Sequence, residues 1–167
     1  MNNIIFFWKS EGKYGFLSNW SDHPIKDEDG IYYHTVEHYM MYKKAMLMND
    51  IESAQAILFS LHPYLAKTIG RDVKNFDQRK WDNNKCSIVL KGITLKVAQH
   101  PQLKQLLIHT NGKTLAEASP YDKVWGIGMT KVDIRSTNPN LWTGKNLLGK
   151  LWMELRHQIT PPVDDND

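Results

Sequence analysis

The chain has 167 residues, 41% of them hydrophobic, with a mean hydropathy of −0.50 and a net charge of +3. That length and composition fit one soluble globular domain with a real core and exclude a disordered chain. A single cysteine, Cys86, excludes an internal disulfide and a thiolate zinc cluster, and no apolar stretch is long enough to span a bilayer.

In chain order, IIFFW (4–8) reads as a short strand and GKYGFLSNW (12–20) as a turn-rich loop. SDHPIKDEDG (21–30) is polar and turn-rich, and IYY (31–33) is a second extended piece. Thr35 is an N-cap, predicting a helix to about Asn49, and Asp50 caps another over 51–61. Pro63 opens a short helix that ends at Gly70. A long helix is predicted over 78–99, stopped by His100-Pro101, with a further one over 101–109. Residues 113–143 read as irregular or weakly extended, and a last helix covers 145–159. The expected fold is therefore a single α+β domain, predominantly helical with a small β component, over 1–160. Residues 161–167 are expected to form a disordered acidic tail. The N-terminus, MNNIIFFWKS, has neither the basic start nor the apolar length of a signal peptide, so the expected compartment is the cytosol.

The first long helix contains an anomaly. Glu37 and Lys44 lie about 20° apart around its axis and two turns apart along it, among Met40, Met41, Leu47 and Met48. The opposite face, with Tyr39, Tyr42, Ala45 and Met46, is also apolar, so the helix should be buried. Two turns is about 10 Å, too far for a direct ion pair. The two charges either reach the surface, as a lysine does by snorkelling, or line a pocket. In a pocket, a partly buried lysine becomes a nucleophilic amine, and a carboxylate beside it can move protons.

Three other segments carry candidate chemistry. EASPYDKVWGIG (117–128) offers Glu117, Asp122 and Trp125 before two glycines, which suits a pocket wall as well as a turn whose tryptophan fills the core. TGKNLLG (143–149) lacks the pattern of a P-loop, but a Gly-Lys-Asn at a helix start can hold a phosphate on backbone N–H groups. From Lys67 to Lys104 there are nine Lys or Arg against three Asp, a segment that suits either phosphate contacts, with Arg71 and Arg79 as candidates, or a solvated helix face. His34, Glu37 and His38 spell H-x-x-E-H, an inverted zinc-hydrolase pattern, with Glu117 as a conceivable third ligand. With Thr35 as the cap, His34 lies outside the helix and the two histidines do not share a face. No metal or cofactor is expected.

The ordered set of GFLSN (15–19), T-V-EHY (35–39) with Lys44-Ala45, Gly70-Arg71, Trp81, the Lys96 helix, E-x-x-x-x-D-x-x-WGIG (117–128) and G-K-N-LLG-x-x-W-M-E-L-R (144–156) resembles the YbiA-like family, also called NADAR. The resemblance implies a compact helix-rich α+β domain and hydrolysis of an N-glycosidic bond between a ribose and a base-like amine. Two substrate groups are implied: phosphorylated ribosylamino-pyrimidines of riboflavin synthesis, and ADP-ribose on guanine, including guanine in nucleic acid. It also implies Glu37, Lys44 and Asp122 as catalytic residues. Trp125 is implied to stack on the substrate, and Asn19, Arg71, Gly126 and Asn146 to line or shape the pocket. Trp152 stands where a smaller apolar residue is more usual. A non-catalytic module binding ADP-ribose or a related nucleotide in the same pocket is the alternative expectation.

Overall fold

The computed structural model describes residues 3–160; the expected acidic tail lies outside the described residues. Among the described residues, six helices and two small sheets form the α+β domain the pattern predicted. Strand β1 (Ile4–Phe7) pairs in parallel with β4 (Thr114–Glu117), with Phe7 opposite Glu117. Everything between them forms one long crossover, which begins with a 3-10 turn at Gly15–Leu17 and the antiparallel pair β2 (Ile25–Lys26) and β3 (Tyr32–Tyr33).

The helices start where their caps say. Thr35 accepts the His38 N–H at the head of α1 (Val36–Leu47), and Asp50 accepts the Ser53 N–H at the head of α2 (Ile51–Phe59). Pro63 is the first residue of α3 (Pro63–Arg71), and Pro101 the first of α5 (Pro101–Ile108), directly after α4 (Gln78–Gln99). The last helix, α6 (Leu147–Ile159), starts two residues later than the sequence suggested, because Asn146 adopts a left-handed conformation with φ 52°. None of these helices is long and apolar enough to cross a membrane.

Helix α1 is the hub, as a helix apolar on most faces should be. It packs against α2, α3 and α4, and α4 in turn packs against α6, which covers β4. Tyr39, Met40, Met41 and Ala45 of α1 join Val89, Ile93, Leu148 and Trp152 in the main core. A smaller cluster of Ala116, Ala118, Ile127 and Met129 packs with Ile4, Phe6 and Trp142. The end of β4 is therefore fixed between α6 and the chain that follows it.

The basic segment 67–104 is not one charged face. Lys74 pairs with Glu52 at 2.7 Å, Lys91 with Glu28 at 3.5 Å, and Lys85 with Asp82, while Lys96 is fully buried. Cys86 is half-buried against the core, as a small apolar residue would be.

Candidate active site

Five segments converge on a cavity of about 400 Å³. The loop 15–20 supplies Asn19 and Trp20, α1 supplies Glu37, Met40, Met41 and Lys44, and α3 supplies Lys67 and Arg71. Phe76, Gln78, Trp81 and Lys85 come from the start of α4 and the turn before it, and Glu117, Asp122, Val124 and Trp125 from the end of β4 and its loop. Glu37 and Lys44 of α1 thus line one cavity.

Each wall is held by identifiable bonds. The Lys96 ammonium, buried beneath the loop, donates to Phe16 O, Ser18 O and Ser21 Oγ, which accounts for all three of its protons. Trp152 donates its indole N–H to Leu17 O at 2.9 Å and packs edge-on against Phe16, so the large residue in α6 anchors the same loop. That loop is tied to α1 by the Glu37 N–H, which donates to Asn19 O at 3.0 Å. Among the described residues neither Asn19 Oδ1 nor Glu117 Oε2, both buried, has a hydrogen-bond partner. Buried polar atoms are almost always paired, so two unpaired oxygens in one cavity wall mark places where a ligand or water completes the set.

The lysine is held as a reagent would be. Lys44 Nζ donates to Gly70 O at 2.7 Å and lies 4.6 Å from the centre of the Phe76 ring and 5.6 Å from that of Trp81. Burial lowers its pKa; Glu37 opposes that shift and Arg71 adds to it. Glu37 is raised to about 7 by burial, with Lys67 pulling down and Asp122 pushing up. Glu117 is raised to about 8 by burial, then by the Asp122 and Glu37 carboxylates, against Lys67. The site therefore holds two carboxyl groups raised toward or above neutrality beside an amine whose pKa burial lowers.

Asp122 has a different posture. Its Oδ1 accepts the N–H groups of Val124 and Trp125 at 2.9 and 2.7 Å, which fixes the turn and sets Trp125 against the cavity. Trp125 is half-buried, with part of it packed on the core and part lining the cavity, so it meets both descriptions the sequence allowed.

Of the residues singled out in the sequence, Asn19, Glu37, Lys44, Arg71, Asp122 and Trp125 come together around the cavity. Gly126 and Asn146 do not line it. Gly126 is buried where an added Cβ would meet Glu117 O at 2.8 Å, so it permits β4 and the loop to touch. Asn146 is 1% exposed, donating to Leu115 O and accepting the Glu117 N–H. These two shape the wall from behind.

The helix start at 144–149 is likewise no phosphate cradle. The N–H groups of Lys145, Asn146, Leu147 and Leu148 donate to Lys123 O, Gly126 O, Val124 O and Trp125 O, respectively. With those donors consumed by the preceding loop, α6 has none of them free for an anion.

The zinc pattern fails on its ligand atoms. His34 precedes the cap, yet its ring lies 5.4 Å from that of His38; both ring nitrogens of His38 are already engaged, Nδ1 with Thr35 Oγ1 at 2.8 Å and Nε2 with Ser60 O at 3.0 Å. Among the described residues no trio of His, Cys, Asp or Glu is placed to hold a metal ion.

Lys67, Trp20, Phe76 and Gln78 belong to the cavity without having been singled out for it, and Glu117, read as part of a pocket wall, was given no catalytic role. Two signals were available: Lys67 stands four residues before Arg71 on one helix, which puts both on one face, and Glu117 shares its segment with Asp122. Phe76 and Gln78 gave none.

The comparisons agree with this architecture. Residues 6–160 match the NADAR domain. A protein of Acanthamoeba polyphaga mimivirus named N-glycosidase R617 is 38% identical over 164 residues, covering 94% of this chain and 96% of its own length. The NMR structure of Escherichia coli YbiA, a protein named N-glycosidase, matches with a TM-score of 0.77 at 32% identity, over 95% of this chain and 85% of that one. A maize protein named riboflavin biosynthesis protein PYRR, chloroplastic, is 34% identical over 96% of this chain but only 26% of its own length. With a family match across nearly all the described residues and relatives aligned almost end to end, the chain belongs to the NADAR domain family.

Proposed function

We propose that this protein is an N-glycosidase that hydrolyses the bond between C1 of a phosphorylated ribose or ADP-ribose and a base-like amine. The observation that carries the reading is one cavity holding Lys44, whose pKa burial lowers, with Glu37 and Glu117, whose pKa values burial raises to about 7 and about 8. A binding pocket has no need of that pairing, whereas glycoside cleavage needs a proton donor and a nucleophile or its equivalent. The relatives named N-glycosidase support it as well.

In the proposed reaction Glu37 or Glu117 gives a proton to the leaving nitrogen as the C1–N bond breaks. The Lys44 amine forms a bond to C1 and gives up a proton to the newly ionised carboxylate. The C1–O4 bond of the sugar ring then breaks, O4 takes that proton back from the carboxyl group, and a C1=Nζ iminium forms beside the re-ionised carboxylate. Water, deprotonated by that carboxylate or by Asp122, adds to C1; the acid so formed returns the proton to Nζ as the C1–Nζ bond breaks and takes up the hydroxyl proton as C1=O forms. The net change is one water consumed, one free base and one free sugar released. Arg71 and Lys67, neither of which makes an ion pair among the described residues, would meet the phosphate, and Trp125 would lie against the base or the sugar. A direct attack by water, with Lys44 only holding the substrate, uses the same residues.

Two substrate groups fit these requirements, ribosylamino-pyrimidine phosphates and ADP-ribosylated guanine; the maize relative's name favours the first. Incubating purified protein with each and measuring free base by mass spectrometry tests the reading. Release at many turnovers from one of them is the expected result. Stoichiometric binding of ADP-ribose with no release from either would overturn it in favour of a binding module.

A further inference from the structure

The cavity does not end at its carboxyl groups. Trp20, Lys67, Arg71, Glu117 and Asp122 also line a second recess of about 500 Å³ on their other side. Its far wall carries two aromatic side chains, Trp8 just beyond β1 and Tyr121 on the turn after β4. Their ring centroids are 6.0 Å apart and the rings are tilted by 51°, so they form an open wedge rather than a closed stack. Tyr121 is 87% exposed. The core therefore gains almost nothing from its ring, yet the turn that presents it is fixed: the Tyr121 N–H donates to Ser119 Oγ at 3.3 Å, and its neighbour Asp122 accepts two backbone N–H groups.

We propose that this outer recess is the subsite for the departing base, a planar heteroaromatic ring held against Trp8 and Tyr121. The inference rests on the glycosidase reading and follows from where the reacting groups stand. Lys44 lines only the inner cavity, so C1 and its sugar belong there. Glu117 and Asp122 stand on the boundary between the two spaces. A group that takes its proton from that boundary leaves on the side away from Lys44. The polar rim of the recess, Lys9, Ser119 and His62, suits the exocyclic oxygens and amines of a nucleobase or aminopyrimidine rather than an apolar ligand.

The test separates the two product halves by calorimetry on the intact protein, with ribose 5-phosphate and free guanine or a free diaminopyrimidinone as probes. Tyr121→Ala leads, since an exposed ring is removed without cost to the core; Trp8→Ala is the second variant. Each is expected to weaken base binding roughly tenfold, the ordinary yield of one aromatic stacking partner, and to leave ribose 5-phosphate binding unchanged. Unchanged base affinity in both variants, or a loss of ribose 5-phosphate affinity instead, would overturn the proposal, as would a wild-type protein that binds neither base. A wild-type protein that binds a base through Tyr121 but turns over no N-riboside would sink the glycosidase reading alone, because the binding experiment needs no turnover.

Discussion

Asn146 reaches from the head of α6 to the end of β4: its Oδ1 accepts the Glu117 N–H at 3.0 Å, and its amide donates to Leu115 O at 2.9 Å. A residue outside the cavity thereby sets the height of a carboxyl group inside it. Asn146→Ala removes two buried hydrogen bonds, each costing about 1 to 3 kcal/mol when its partner is left unpaired. It also puts a Cβ-bearing residue without a polar side chain at φ 52°, for about another 1 to 2 kcal/mol. Asn146→Gly relieves the backbone but not the lost bonds. Chemical denaturation should rank stability as wild type above Asn146→Gly above Asn146→Ala, and base release should fall in both variants even where they are fully folded.

Lys96 performs a similar service for Asn19 and Trp20. Lys96→Met keeps the aliphatic stem but strips three acceptors of their donor, at a cost on the order of 3 kcal/mol. The loop carrying Asn19 then loses its anchor from below, leaving Trp152 to hold it. Activity measured where circular dichroism reports a folded protein should still fall well below wild type. Full activity in the folded variant would show that the loop holds its place without the ammonium.

What was legible in the sequence was mostly local. Thr35, Asp50 and Pro63 mark helix starts through bonds to residues within a turn, so they can be read without a fold. The seven-residue spacing of Glu37 and Lys44 likewise fixes a shared helix face. The pairing of β1 with β4 joins segments about 110 residues apart, and it carries Glu117 into the site; nothing local announces it. The helix start at 144–149 is hard to read for a related reason. A helix start looks like an anion site until the chain that consumes its N–H groups is known, and that chain is the 123–126 loop.

Glu117 should make stability depend on pH. Its folded pKa, about 8, lies above the unfolded carboxyl value of 4.5, so the folded state holds a proton that the unfolded chain has lost. Its contribution is complete below the unfolded value and disappears as pH rises through about 8. Glu117→Gln, which cannot ionise, should therefore gain on wild type between pH 5 and pH 9. Each pKa unit corresponds to about 1.4 kcal/mol, giving a few kcal/mol at most. Urea midpoints at the two pH values measure it, and a parallel offset at both would contradict the assignment.

Lys67 pulls both raised carboxyl groups downward. Lys67→Met removes that cation, so Glu37 and Glu117 should keep their protons to higher pH. If either is the acid that protonates the leaving base, the alkaline limb of the kcat profile moves upward by a fraction of a unit to one unit. The Michaelis constant for a phosphorylated substrate should rise at the same time, on the order of tenfold for one lost charge-assisted contact of about 1.4 kcal/mol. An unmoved limb would remove Lys67 from the electrostatics of the reaction.

The most direct measurement is reductive trapping at Lys44. Sodium borohydride added during turnover reduces a C1=Nζ iminium to a stable secondary amine, and peptide mass spectrometry locates the added sugar phosphate. A turnover-dependent adduct on Lys44, absent without substrate, is expected, together with a loss of base release in Lys44→Met. Full base release by Lys44→Met would contradict it: the lysine would then be a neighbour of the reaction rather than its nucleophile.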